Sequence, residues 1–276
     1  MSSAILRSTA LCIRANLFFQ HGIYHGVEPH FDDLFGFSDM QFFASKPKDQ
    51  GLGDRLLASS PKVWFTQMKE AGITSLRLNQ QMRNHPTIHD YKMAWSVDAD
   101  KAWTLVSHNP NEPTLGFWGD ETYLDEGVRA KLLGFGSPDL LMEHISAEAG
   151  ADMLKEALHA AIQFANALSL TDYERIFREA VDMIDGQSHA TFLMHEASTN
   201  YFELAAPKDL LPDLHINLLK AFEIYNIFGG AGSWNDLPLP DQDVVRDTYH
   251  IISLNLHNAA VKSLVSVANA QSETSG

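Results

Sequence analysis

The stretch that decides the fold is LKEALHAAIQFANAL, which runs from Leu154 to Leu168. Its apolar residues recur three or four positions apart, the spacing that forms one buried face on an amphipathic helix. Thr171 and Glu174 follow with the spacing of a capping box, so the pattern predicts a second helix from Thr171 toward Asp185. Two consecutive amphipathic helices indicate a helical core.

Similar periodicity predicts helices on both sides of this stretch. They are expected near residues 63–70, 86–103, 188–204, 214–228 and 240–267, and a brief strand is an option at 75–78. No linker rich in Pro or Ser separates the two halves. We therefore predict one all-α domain over residues 1–276, with a loop-rich part at 1–110 and a helical core at 111–270.

Charge and cysteine content exclude several classes of protein. The chain of 276 residues carries 20 Lys and Arg against 35 Asp and Glu, a net charge of −15, which opposes binding to nucleic acid or to an anionic membrane. The one cysteine, Cys12, cannot form an internal disulfide. Arg7 and Arg14 interrupt the apolar N-terminal stretch, whereas the apolar core of a signal sequence is uncharged. We expect a soluble cytoplasmic protein without nucleic-acid or membrane partners.

Histidine is unusually frequent, with 13 residues. Since there is no dinucleotide fingerprint and no Gly-x-Ser-x-Gly motif, cofactor or metal chemistry would depend on imidazole and carboxylate groups. Glu156 with His159, and Asp247 with His250, have the three-residue spacing of di-iron helical bundles. The alternative interpretation is that both pairs lie on solvated helix faces.

His195 is the leading candidate for a cofactor ligand. If residues 188–204 are helical, His195 shares a face with Phe192 and Phe202, so an imidazole would project from an aromatic wall as a proximal haem ligand does. A core histidine with a satisfied hydrogen bond would give the same pattern. His215, at the start of the next predicted helix, is the competing ligand.

Two segments resemble parts of the tryptophan 2,3-dioxygenases. Ile88-His89-Asp90-Tyr91-Lys92-Met93-Ala94-Trp95 resembles their distal-histidine segment, and FGGAGSWND at residues 228–236 resembles the loop that covers their amino-acid substrate. In length and helical character the chain is similar to the smaller haem-dependent tyrosine hydroxylases of natural-product pathways, which belong to the same superfamily of haem-dependent aromatic oxygenases. The interval from His89 to His195 suits their distal and axial histidines, whereas the order of ligand and glycine loop in the dioxygenases suits His215.

The resemblance implies a dioxygenase-like helical fold and a monooxygenase that converts L-tyrosine to 3,4-dihydroxyphenylalanine. It implies haem b on His195 or His215, flanked by Phe192 and Phe202, with His89 as the catalytic distal residue and peroxide or dioxygen as oxidant. The groups expected to hold the amino-acid substrate are Arg77, Arg83, Ser233 and Asn235. A non-haem iron or di-iron oxidase and a cofactor-free helical binding protein remain alternatives, and a homodimer is left open.

Overall fold

The computed structural model describes residues 3–24, 41–45, 55–70, 76–82, 91–97, 104–106, 129–133, 145–187, 210–225, 234 and 237–270. Contacts divide these residues into two compact units. The mixed unit lies within 2–144, 204–207 and 268–276, and the helical unit lies within 145–203 and 208–267. Because compact units of this kind can belong to one domain, the single-domain organisation stays a prediction.

The mixed unit combines helices with a sheet. Its elements are α1 (Ser3–His21), β1 (Gln41–Ser45), β2 (Arg55–Ala58), α2 (Pro61–Glu70), β3 (Leu76–Met82), β4 (Tyr91–Val97), β5 (Thr104–Val106) and β6 (Arg129–Leu133). The strand order is β2-β1-β6-β5-β4-β3. β1 and β6 are parallel, and every other neighbouring pair is antiparallel. Among the strands that the structure describes, β2 and β3 are therefore at the edges.

Helix α1 is the buried centre of this unit. Ala10, Leu11, Ile13 and Leu17 are all fully buried, and the helix packs against β3 and α2. A helix that is apolar on most of its circumference requires such burial on several sides. Periodicity in the sequence does not predict this helix, because its apolar residues form no single stripe.

The sheet corrects the all-α prediction for the N-terminal part of the chain. A helix was predicted over 86–103, but Tyr91–Val97 is a strand that pairs with β3 and β5. The physical reason is a two-residue alternation of Tyr, Met, Trp and Val with smaller or charged residues, which suits a strand. The strand suggested at 75–78 is confirmed from Leu76 and continues to Met82. Because β6 lies within 111–270, the helical region begins later than predicted.

The helical unit confirms the predicted helical class. Its helices are α3 (Ala147–Ala167), α4 (Thr171–Ile184), α5 (Asp213–Tyr225) and α6 (Asp243–Ala270), whose residues from 268 onward belong to the mixed unit. The predicted stripe on α3 is buried, with Leu154, Leu158 and Ala161 all at 0% exposure. Sequence periodicity therefore identified the core-facing side of this helix correctly.

The predicted capping box at the start of α4 is wrong in its details. Leu170 is the N-cap residue and makes no side-chain capping hydrogen bond. The Glu174 carboxylate instead accepts hydrogen bonds from Arg178, at 2.7 Å, and from Asn166, at 3.1 Å. Among the described residues the carboxylate thus bonds to two side chains and not to a backbone N–H at the helix start, as a capping box requires.

Helix α6 is long and apolar enough to cross a membrane by length and composition alone. In its apolar window 67% of the residues are buried inside the structure, and core helices of globular proteins meet the same criterion. The predicted apolar register is confirmed in the second half of the helix, where Leu256, Ala260, Leu264 and Val267 are buried. Val244 and Ile251 in the first half are exposed at 76% and 58%.

Candidate functional site

The described structure contains one of the two histidines considered as iron ligands. His215 lies in the first turn of α5, in the helical unit. Seven further predicted site residues lie outside the described part of the chain: His89, Arg83, Phe192, His195, Phe202, Ser233 and Asn235. Arg77 lies in β3 opposite Ser96 of β4.

The environment of the distal segment differs from what the resemblance implies. In the dioxygenases the histidine begins a helix, and here that helix would include Trp95. Instead Tyr91–Val97 forms β4, in which Trp95 pairs with Leu78 of β3 and Leu105 of β5. The helical context expected after His89 is therefore wrong for residues 91–97.

The His215 side chain is buried, with 8% of its surface exposed. Its Nδ1 atom is inaccessible to solvent and has no hydrogen-bond partner among the described residues. Burial lowers the pKa of the imidazole below its ordinary value, and the negative charge of Glu148 opposes this shift in part. At neutral pH the ring is therefore uncharged, which is the form that binds a metal ion.

Glu148 lies at the start of α3, close enough to His215 for their charges to interact. Hydrogen bonds from its own backbone N–H and from Ser146 lower the pKa of this carboxyl, with a smaller contribution from His215. Ser146 is the N-cap of α3, and its Oγ accepts from the Ala149 N–H at 3.2 Å. The site thus pairs a buried neutral imidazole with an exposed carboxylate fixed at a helix N-terminus.

The buried imidazole predicts a pH-dependent stability. Below the ordinary histidine pKa of 6.5, the unfolded chain takes up a proton at residue 215 before the folded chain does. Stability from this group is complete above 6.5 and falls as the pH drops toward the lowered folded pKa. We expect His215→Gln to reduce the slope of unfolding free energy against pH just below 6.5 by up to ~1.4 kcal/mol per pH unit. Urea unfolding at several pH values measures this slope.

His159 provides the matched control, because it is exposed on α3 of the same unit. His159→Gln controls for the loss of one exposed histidine from this unit. Equal slopes in wild type and His215→Gln would contradict the lowered pKa at residue 215.

Trp234 is the one described residue of the segment 228–236, which resembles a substrate-covering loop. Its side chain is fully buried, with ring centroids 5.1 Å from Phe177, 5.2 Å from Tyr173 and 5.5 Å from Tyr249. The indole Nε1 donates to Ser253 Oγ at 2.7 Å, and the Tyr249 hydroxyl donates to the Trp234 carbonyl at 2.6 Å. Within this segment, Trp234 is therefore a core residue.

The two carboxylate and histidine pairs lie on exposed helix surfaces. Glu156 and His159 on α3, and Asp247 and His250 on α6, are all exposed. Within the described ranges, no group of three His, Cys, Asp or Glu side chains is placed to hold a metal ion. The spacing alone therefore does not assemble a di-iron site from these residues.

No protein-family model, curated protein or solved structure matches the chain. The candidate site accordingly rests on this chain's own residues. From the sequence His215 is only the second ligand candidate, because periodicity cannot show that a ring nitrogen lacks a partner. Its position two residues after the start of a helix, behind Pro212, was the only local signal.

Proposed function

We propose that this chain binds haem b through a single histidine and hydroxylates an aromatic amino acid with peroxide or dioxygen. One observation supports the cofactor: the buried Nδ1 of His215 has no hydrogen-bond partner among the described residues. L-tyrosine as the substrate, and 3,4-dihydroxyphenylalanine as the product, follow from the resemblance to tyrosine hydroxylases.

A buried polar atom without a partner costs about 1 to 3 kcal/mol. A metal ion bound to the imidazole of His215 would give this ring a partner in place of water. The lowered pKa keeps the ring neutral without a cofactor, so no proton has to be displaced at pH 7. Haem needs one axial ligand from the protein, because the porphyrin supplies the other four nitrogen ligands. In these respects His215 fits the role of an axial ligand.

The remaining roles follow from residue chemistry. When bound, haem supplies the binding and activation of peroxide or dioxygen. His89 would move a proton on the distal side, since histidine can gain and lose one near neutral pH. Ser233 and Asn235 would hydrogen bond to the amino-acid head group, and Arg77 or Arg83 would pair with its carboxylate. Trp234, which lies between these two residues in the sequence, is itself anchored in the core.

Titration of the purified full chain with haem b tests the proposal. Wild type is expected to bind one equivalent with an intense Soret band, and replacement of the axial histidine by alanine should abolish stoichiometric binding. His215→Ala and His195→Ala identify which histidine that is. His89→Ala is the control, because a distal residue does not anchor the iron and its variant should retain haem.

The outcomes separate the alternatives. Loss of haem in His215→Ala assigns the axial position to His215, and loss only in His195→Ala assigns it to His195. If wild type develops no Soret band, or if both single variants bind haem as wild type does, the single-histidine haem proposal is wrong. Iron with weak visible absorption would identify the non-haem oxidase instead.

A cofactor-free helical binding protein is the second candidate, and one observation favours it. Both segments that carry the resemblance have a structural use in this chain: Tyr91–Val97 is a paired strand, and Trp234 is a core residue. Under this alternative His215 is a buried core histidine. Wild type would then bind no haem, and His215→Ala would alter stability alone.

A further inference from the structure

The sheet of the mixed unit ends at β3, which pairs with β4 on one side. In an antiparallel pair, alternate residues direct their backbone N–H and C=O groups away from the partner strand. Leu76 and Leu78 are two such residues, since their backbone groups bond to side chains of α1 and α6. An edge of this kind is a template on which another strand can pair.

Asn269, in the last turn of α6, bonds to Leu78 through both atoms of its amide. Its Oδ1 accepts from the Leu78 N–H at 2.7 Å, and its Nδ2 donates to the Leu78 C=O at 2.8 Å. One side-chain amide thus offers the acceptor and the donor that a residue of a neighbouring strand would offer. Asparagine is suited to this role because its amide carries both groups.

Asn16, on α1, repeats the arrangement two residues earlier on the strand. Its Oδ1 accepts from the Leu76 N–H at 2.7 Å, and its Nδ2 donates to the Leu76 C=O at 2.9 Å. The same Nδ2 lies 3.2 Å from the Ala268 carbonyl, which ties α1 to the end of α6. Cys12 adds a second donor to the Leu76 carbonyl, at 3.2 Å, and burial raises the pKa of its thiol so that it keeps its proton.

We propose that the side-chain amides of Asn16 and Asn269 occupy the edge of β3 and so prevent it from pairing with β3 of a second copy of this chain. A second copy is the strand that the closure excludes, because β3 of another molecule would present the same unpaired backbone groups once its two amides were removed, and it is present wherever the protein is. Leu76 and Leu78 are fully buried, so the closure also removes their backbone from water. This inference concerns the mixed unit and is independent of haem binding.

Asn16→Leu, Asn269→Leu and the double variant of the full chain test the closure. Leucine has the same branched arrangement of side-chain heavy atoms as asparagine but neither hydrogen-bonding group. Amide exchange at Leu78 is expected to accelerate about 5- to 100-fold in Asn269→Leu, and exchange at Leu76 by a similar factor in Asn16→Leu. In sedimentation velocity, the double variant should form larger species than wild type as concentration rises.

Asn166→Leu is the matched control, because Asn166 is an exposed asparagine of the helical unit. It is expected to keep the exchange rates and sedimentation of wild type.

Two results would overturn the proposal. One is a double variant of the same size as wild type at every concentration; the other is exchange that rises equally in all strands in either single variant, since closure requires a local effect.

Discussion

Trp234→Ala is expected to lower the free energy of unfolding by about 3 to 5 kcal/mol, the range for removing a fully buried large aromatic side chain. The indole contacts the rings of Phe164, Tyr173, Phe177 and Tyr249. Its loss would leave a cavity between helices and would remove the hydrogen bond to the buried hydroxyl of Ser253. Urea unfolding followed by circular dichroism measures the change.

Two variants separate the contributions at this position. Trp234→Phe keeps an aromatic ring but removes the N–H, so we expect a smaller loss, of about 1 to 3 kcal/mol. Val244→Ala is the surface control: its side chain is 76% exposed, and the expected change is within about 0.5 kcal/mol. If Trp234→Ala were as stable as wild type, the tryptophan would not hold the core together, and a purely substrate-binding loop would regain support.

Gly150→Val is expected to destabilise the helical unit by about 3 kcal/mol through overpacking. A Cβ atom at Gly150 would lie 2.5 Å from Ser266 Oγ and 3.2 Å from Ser263 Cα, so α3 and α6 would have to separate. Both serines are buried, and the Ser266 hydroxyl donates to the Ser263 carbonyl at 2.7 Å. Helix propensity alone predicts the opposite sign, because glycine is the less favourable residue within a helix. Urea unfolding decides between the two signs.

Ala149→Val is the matched control, since Ala149 is exposed in the same turn of α3. It should cost only the difference in helix propensity, which is below about 1 kcal/mol. In a double-mutant cycle, Ser266→Ala should recover part of the loss caused by Gly150→Ala, because it removes the nearest contacting atom. A Gly150→Val protein as stable as wild type would show that the two helices can move apart at little cost.

Cofactor binding and folding stability can be measured separately in the helical unit. Trp234 and Gly150 contribute to the packing of the helical unit, whereas His215 is the proposed iron ligand. A His215→Ala variant that loses haem but keeps the unfolding free energy of wild type would therefore identify a ligand. A variant that loses stability alone would identify a core residue.

Local periodicity was sufficient to locate much of the helical unit. The helix α3, which ends at Ala167, and the helix α4, which begins at Thr171, were predicted because the apolar spacing of each lies within a single segment. The same reasoning failed at Tyr91–Val97. A strand depends on partners distant in the chain, and here those partners are β3 and β5.

By itself, the sequence determined the strong negative charge, the single cysteine and the amphipathic helices, all of which are properties of composition or of one segment. Only the tertiary structure decided the roles of individual polar and aromatic residues. It placed Trp234 in a core of four other rings, left Nδ1 of His215 without a partner among the described residues, and brought Asn16 onto Leu76. Burial and hydrogen bonding depend on groups from distant parts of the chain, and these meet only when the chain has folded.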